Sequence, residues 1–146
     1  MKMSTKGRYG LRVMIELACR YGQGPVLVDA IERNCGISGK YIHQIMLSLK
    51  YAGMVRTVRG PHGGYELVKK PSEVTALDVI TILEGSVDPV ECVSCPSVCG
   101  RASDCVTRDL WEEVGSAIRS VLSSVTLEAL CARQALPPDQ GFSFCI

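Results

Sequence analysis

The sequence predicts a mainly α-helical fold with one small β-hairpin and a long helix late in the chain. Three observations carry this. Apolar residues recur at helical spacing from the first turns onward. Two short alternating runs, MVRTV and YELV, flank a Gly- and Pro-rich turn. A stripe at alternating spacings of three and four runs from Trp111 to Val125.

The first helix is expected from about Thr5 to Tyr21, because Leu11, Met14, Ile15, Ala18 and Tyr21 share a face and Gly22 with Gly24-Pro25 ends it. Arg8, Arg12 and Arg20 are left on its polar side. A short helix follows at about Leu27 to Asn34, then Gly36 as a turn residue. Ser38 is the expected N-cap of a third helix that runs to about Ala52, with Ile42, Ile45, Met46 and Leu49 as its inner face. That sequence of helix, Gly turn and capped helix is the helix-turn-helix pattern.

Met54 to Val58 and Tyr65 to Val68, joined by Gly60-Pro61-His62-Gly63-Gly64, form the hairpin. Three helices followed by a hairpin with a basic rim make a winged helix-turn-helix arrangement, in which the third helix suits a DNA major groove and the wing the flanking backbone or minor groove. Thr75 to Glu84 reads as a fourth helix, capped by Ser72 or Thr75. Residues 85 to 104 are a Cys-rich loop. Trp111, Val114, Ile118, Val121 and Val125 then form a seam too short to stand alone, so it is expected to pack on a second copy of the chain. The expected organisation is a winged-helix domain over 1–84, a cysteine loop over 85–104, a dimerisation region over 105–130 and a tail over 131–146.

Charge sorts the same way. Residues 1–70 carry twelve Lys or Arg against four Asp or Glu, whereas residues 71–146 carry four against eleven, so an overall net charge of +1 conceals a basic half joined to an acidic one. The basic half points to a polyanion, here double-stranded DNA. Ser38, Lys40, Tyr41, His43 and Gln44 on the third helix, and Arg56, Arg59, His62, Gly63 and Tyr65 on the hairpin, are the candidate contacts. Gln44 suits adenine, His43 suits guanine or phosphate, and Arg59 suits a narrow minor groove. Charges interrupt the N-terminal apolar residues, which leaves no signal-peptide core or membrane span; the expectation is a cytoplasmic protein without a membrane partner.

Four of the eight cysteines, Cys92, Cys95, Cys99 and Cys105, fall in ECVSCPSVCGRASDC. In a reducing compartment such a set points to metal or redox chemistry, and four thiolates suit either an iron–sulfur cluster or tetrahedral zinc. Gaps of two, three and five are unlike the paired knuckles of a structural zinc site, which favours the cluster. Cys92-Val93-Ser94-Cys95 alone resembles a dithiol redox motif, but no βαβ pattern surrounds it. No nucleophile constellation, paired carboxylates or phosphate-binding glycine loop points to an enzyme. Cys19 and Cys131 lie in helical patterns and are expected to be small core residues, with Cys35 in the turn and Cys145 in the tail.

The opening STKGRYGLR, the helix GISGKYIHQIMLSLKYAGMV, the wing RTVRGPHGGYEL and the later C-x5-C-x2-R-D-L-W together resemble the Rrf2 winged-helix regulators over about residues 1–130. The resemblance implies a homodimeric transcription factor, commonly a repressor, with the long helix crossing between subunits. In many members three loop cysteines ligate an iron–sulfur cluster, 2Fe-2S or 4Fe-4S; these fall here on Cys92, Cys99 and Cys105. The first gap is six residues where IscR-like members have five. Arg108 stands where they place a ligating His, and Arg8 where NsrR-like members supply an Asp, so Cys95 is the expected fourth ligand. His43 replaces a Glu that influences operator choice, and Glu32 a usually small residue. The ending GFSFCI resembles the CymR-like subfamily, which implies a sulfur-metabolism repressor partnered by cysteine synthase through Ile146.

Overall fold

The computed structural model describes residues 3–135. Its helices are α1 (Thr5–Cys19), α2 (Val28–Cys35), α3 (Gly39–Tyr51), α4 (Ala76–Glu84), α5 (Glu91–Ser94), α6 (Val106–Ser123) and α7 (Leu127–Gln134), with strands β1 (Val55–Val58) and β2 (Gly64–Leu67) between α3 and α4. Ile146 and Cys145 lie outside the described residues.

The first three helices form for the local reasons expected of them. Ser4 caps α1 by accepting from the Gly7 N–H at 3.1 Å, satisfying a donor that the helix itself cannot use. Gly36 ends α2 in the left-handed conformation, φ 66°, where a side chain would be strained. Ser38 stands at the N-cap of α3 but its side chain makes no capping bond. The inner residues of α3, Ile42, Ile45, Met46 and Leu49, are fully buried against Val13, Met14 and Leu17 of α1.

The hairpin pairs β1 and β2 antiparallel, with Val55 opposite Leu67 and Thr57 opposite Tyr65. A third segment joins it: Val26 exchanges backbone hydrogen bonds with Tyr65 at 2.8 and 3.0 Å. Gly64 permits this approach, since a Cβ there would collide with the Val26 backbone. The wing is thereby anchored to the start of α2 and not only to its own turn.

Thr75 rather than Ser72 caps α4, in a reciprocal box with Asp78. At its other end Glu84 reaches back to α1, accepting from the Ser4 hydroxyl and from the Gly7 N–H. Gly7 and Gly10 make room, because a Cβ at either would meet Glu84 or Leu83.

Three features were not visible in the pattern. The expected loop contains α5 and a 3-10 turn at Pro96–Val98. After α6 the chain returns to the first half: Ala76 N–H donates to Val125 at 2.8 Å and Leu127 N–H to Val74 at 2.9 Å. Leu127 is fully buried in the same core as α1 and α3, so α7 crosses the boundary drawn at residue 130. Finally, Cys19 is exposed and Cys131 half-buried, whereas both were expected in the core; Cys35, expected in the turn, is the buried last residue of α2. Cys19 ends α1, where the helix leaves its core-facing register.

Candidate nucleic-acid interface and cysteine loop

The side chains of α3 divide by periodicity. With the apolar set inward, Lys40, His43, Gln44 and Lys50 are left exposed on the other side, and Ser38 is exposed at the helix start. Tyr41 is half-buried and packs edge-on against Tyr9 of α1, with ring centroids 6.1 Å apart. The guanidinium carbons of Arg8 and Arg12 lie 6.0 and 5.6 Å from the Tyr9 ring centroid. Tyr9 therefore links the cations of α1 to the start of α3. The spacing of Arg8 and Arg12 was the available signal for this extension; the Tyr9–Tyr41 contact had none.

On the wing, Arg59 and His62 are exposed at the tip. Arg56 is exposed too, but its Nε donates to Glu66 on the paired strand at 2.6 Å, so its charge is partly balanced within the hairpin. Gly63 is buried: its N–H donates to the Gly60 carbonyl at 2.9 Å, and a Cβ there would strike the Val58 carbonyl. Gly63 thus shapes the turn.

Tyr65 also differs from the surface contact expected of it. It is buried in the core, and its hydroxyl stands 2.8 Å from His43 Nδ1. Burial pushes the phenol above its ordinary pKa, so it holds its proton. The pair ties α3 to the wing and fixes the imidazole in a groove of about 300 Å³ between α2, α3 and the hairpin, lined also by Asp29, Thr57 and Gly60.

The cysteine loop connects α4 to α6, and its α5 packs on α6. Cys92 is on α5, Cys95 ends it, Cys99 follows the 3-10 turn, and Cys105 stands at the N-cap of α6. Arg108 donates to the Cys92 carbonyl at 3.1 Å, so the residue in the His position braces α5 against α6. The Thr107 hydroxyl, 3.2 Å from Cys105 Sγ, holds that thiol below its ordinary pKa, with help from the Arg108 backbone N–H. Cys95 Sγ pairs with Ser97 at 3.2 Å. Among the described residues no three Cys, His, Asp or Glu side chains stand within reach of one metal ion. The thiols are the right donors for a cluster, but in this conformation they are spread over α5, the turn and α6. The loop as folded does not fit the group, and no step is derived through it.

Beyond the loop, Arg119 of α6 pairs with Asp88. Of the expected seam, Val114, Ile118 and Val125 are half-buried, while Trp111 and Val121 remain 39 and 63% exposed, as does the neighbouring Leu110 at 54%. Among the described residues no helix is long and apolar enough to cross a membrane.

A family model described as "Rrf2: Iron-dependent Transcriptional regulator" matches residues 3–133. The HTH-type transcriptional regulator CymR of Bacillus subtilis (strain 168) is 41% identical over 90% of this chain and 91% of its own length. Its solved structure superposes with a TM-score of 0.77, covering 91% of this chain and 98% of that one. IscR of Aliivibrio salmonicida is 38% identical over 89% of this chain and 77% of its own length. A solved structure of T. potens IscR gives a TM-score of 0.76 at 34% identity, covering 98% of this chain and 93% of that one.

Proposed function

The chain belongs to the Rrf2 family of transcriptional regulators, and from that premise we propose that it binds operator DNA as a homodimer, with α3 in the major groove and the wing on the flanking backbone or minor groove. The observation that supports this most is the continuity of one surface. Lys40, His43, Gln44 and Lys50 are exposed on α3 and Arg59 and His62 on the wing, His43 lines one groove with Gly60 and Gly63 of the wing, and Tyr65 ties the two parts together through His43. The Tyr65 hydroxyl engages Nδ1 and leaves Nε2 of His43 on the open side, where it can meet a guanine edge or a phosphate. Two such surfaces must reach successive grooves about 34 Å apart, and the open stripe Leu110, Trp111 and Val121 on α6 supplies the apolar face for a second copy.

Arg59→Ala tests the reading. Its guanidinium is exposed at the wing tip, so folding is expected to be unchanged while affinity falls roughly 10-fold, within the range for one specific Arg contact. The measurement is fluorescence anisotropy on DNA that the wild-type chain selects from a random pool. Unchanged affinity removes Arg59 from the interface, and a wild-type chain that enriches no sequence removes the DNA reading.

For the loop, the family's iron-dependent description and four clustered thiols support an iron–sulfur cluster held by Cys92, Cys99 and Cys105, with Cys95 as the fourth ligand and zinc as the rival. Ligation would have to draw together side chains that now lie on separate elements. Anaerobic loading with iron and sulfide, followed by absorbance and metal analysis, is expected to show bound cluster in the wild type and a weakened or altered one in Cys95→Ala. An identical spectrum and stability eliminates Cys95. A chain that binds DNA but takes up neither iron nor zinc favours the CymR-like alternative, a sulfur-metabolism repressor acting with cysteine synthase.

A further inference from the structure

Two cysteines stand apart from both the loop and the nucleic-acid face, and the packing of α7 on α1 brings them to one place. Cys19 is the last residue of α1 and is exposed. Cys131 lies within α7, half-buried, and its thiol donates to the Ile15 carbonyl at 3.5 Å. Residues four apart on a helix are stacked neighbours on one face, so the carbonyl of Ile15 lies over the turn that Cys19 closes. The Cys131 sulfur therefore rests against the strip of α1 that carries Cys19. Its thiol is pushed up to about 12, first by burial and then by interaction with the Cys19 side chain, with smaller contributions from Glu16 and Glu128.

We propose that Cys19 and Cys131 form a dithiol–disulfide site that takes a peroxide as its oxidant and staples α7 to α1. Cys19, open to solvent, meets the oxidant; Cys131, sheltered beside it, resolves the product. In the first step the Cys19 thiolate attacks one peroxide oxygen and the O–O bond breaks. Cys19 becomes a sulfenic acid, and the departing hydroxide takes up the proton that the Cys19 thiol released on ionising, leaving as water. In the second step the Cys131 sulfur, releasing its proton, displaces the sulfenic oxygen as a second water and the S–S bond forms. Two thiols lose two electrons and two protons, and one peroxide is reduced to two waters. Because burial and the Cys19 side chain favour the protonated form of Cys131, ring closure quickens as the pH rises. The bond would join the first helix to the last described one, enclosing the whole reader, and such a long ring stabilises chiefly by restricting the unfolded chain.

The experiment uses the full chain in two forms, wild type and a variant with Cys92, Cys95, Cys99, Cys105 and Cys145 changed to Ser, so that loop thiols do not compete. Each is treated with hydrogen peroxide, its remaining thiols are alkylated, and its peptides are mapped by mass spectrometry. The expected result is a Cys19–Cys131 linked peptide, lighter by two hydrogens, in both forms. It accompanies a thermal midpoint raised by roughly 10 °C, which returns on reduction with dithiothreitol and is absent in Cys131→Ser. The proposal is overturned if Cys19 accumulates as sulfinic acid while Cys131 still alkylates, if Cys19 links instead to Cys35, or if the shift persists in Cys131→Ser. Wild-type mapping alone decides the matter should the multiple variant fail to fold.

Discussion

For the homodimer proposed above, changing Leu110 and Val121 together to Glu is expected to give a folded monomer and to lower operator affinity by at least about 100-fold. The size follows from linkage between two half-sites. Once one reader is bound, the second sees its groove at a high effective concentration, and severing the subunits forfeits that gain. The monomer should survive because these side chains are 54 and 63% exposed and contribute little to its own core. Carboxylates facing each other across an apolar seam, by contrast, must be desolvated without partners. Sedimentation velocity and anisotropy on the same samples check both halves of the expectation. A double variant that still sediments as a dimer places the subunit contact elsewhere on the molecule.

Leu127→Ala is expected to cost about 3 kcal/mol of unfolding free energy, in the middle of the range for a buried leucine, and to lower the thermal midpoint by roughly 10 °C. Leu127 is fully buried and is the residue through which the chain, returning from α6, enters the core of the first half. Its N–H is already held by Val74, so the backbone bridge survives truncation while the cavity does not fill. Chemical denaturation followed by circular dichroism measures the loss. A change below about 1 kcal/mol, the scale of a surface substitution, would mean that α7 is only loosely docked.

The exposure of several candidate residues was legible in the sequence because it depends on near neighbours. The inward set Ile42, Ile45, Met46 and Leu49 leaves Lys40, His43 and Gln44 outward by helical period alone, and Arg59 is carried outward by the glycine turn beside it. The roles of Tyr65, Gly63 and Arg56 were not. Alternation gave Tyr65 a place on the hairpin but could not show that Val26 pairs with it and buries it. Gly63 has no side chain to reveal that its turn is closed. The opposition of Arg56 and Glu66 depends on strand register, which only the paired hairpin displays. The four loop cysteines were conspicuous as a group, yet Arg108 bracing α5 and Thr107 engaging Cys105 depend on how α6 meets the loop.

By itself the sequence determined the order of helices and hairpin and the division into a basic and an acidic half, both of which rest on periodicity, capping and turn residues, or local charge that act over a few positions. The resemblance to the Rrf2 regulators lay in the quoted motifs, and the family match carries it. Only the tertiary structure decided that α7 belongs to the core of the first half, that Glu84 grips the start of α1, that Tyr65 engages His43, and that Cys131 packs on the last turns of α1. Those contacts join residues far apart in the chain. They exist because burying a common apolar core overcomes the entropy of closing long loops, a balance that no single segment displays.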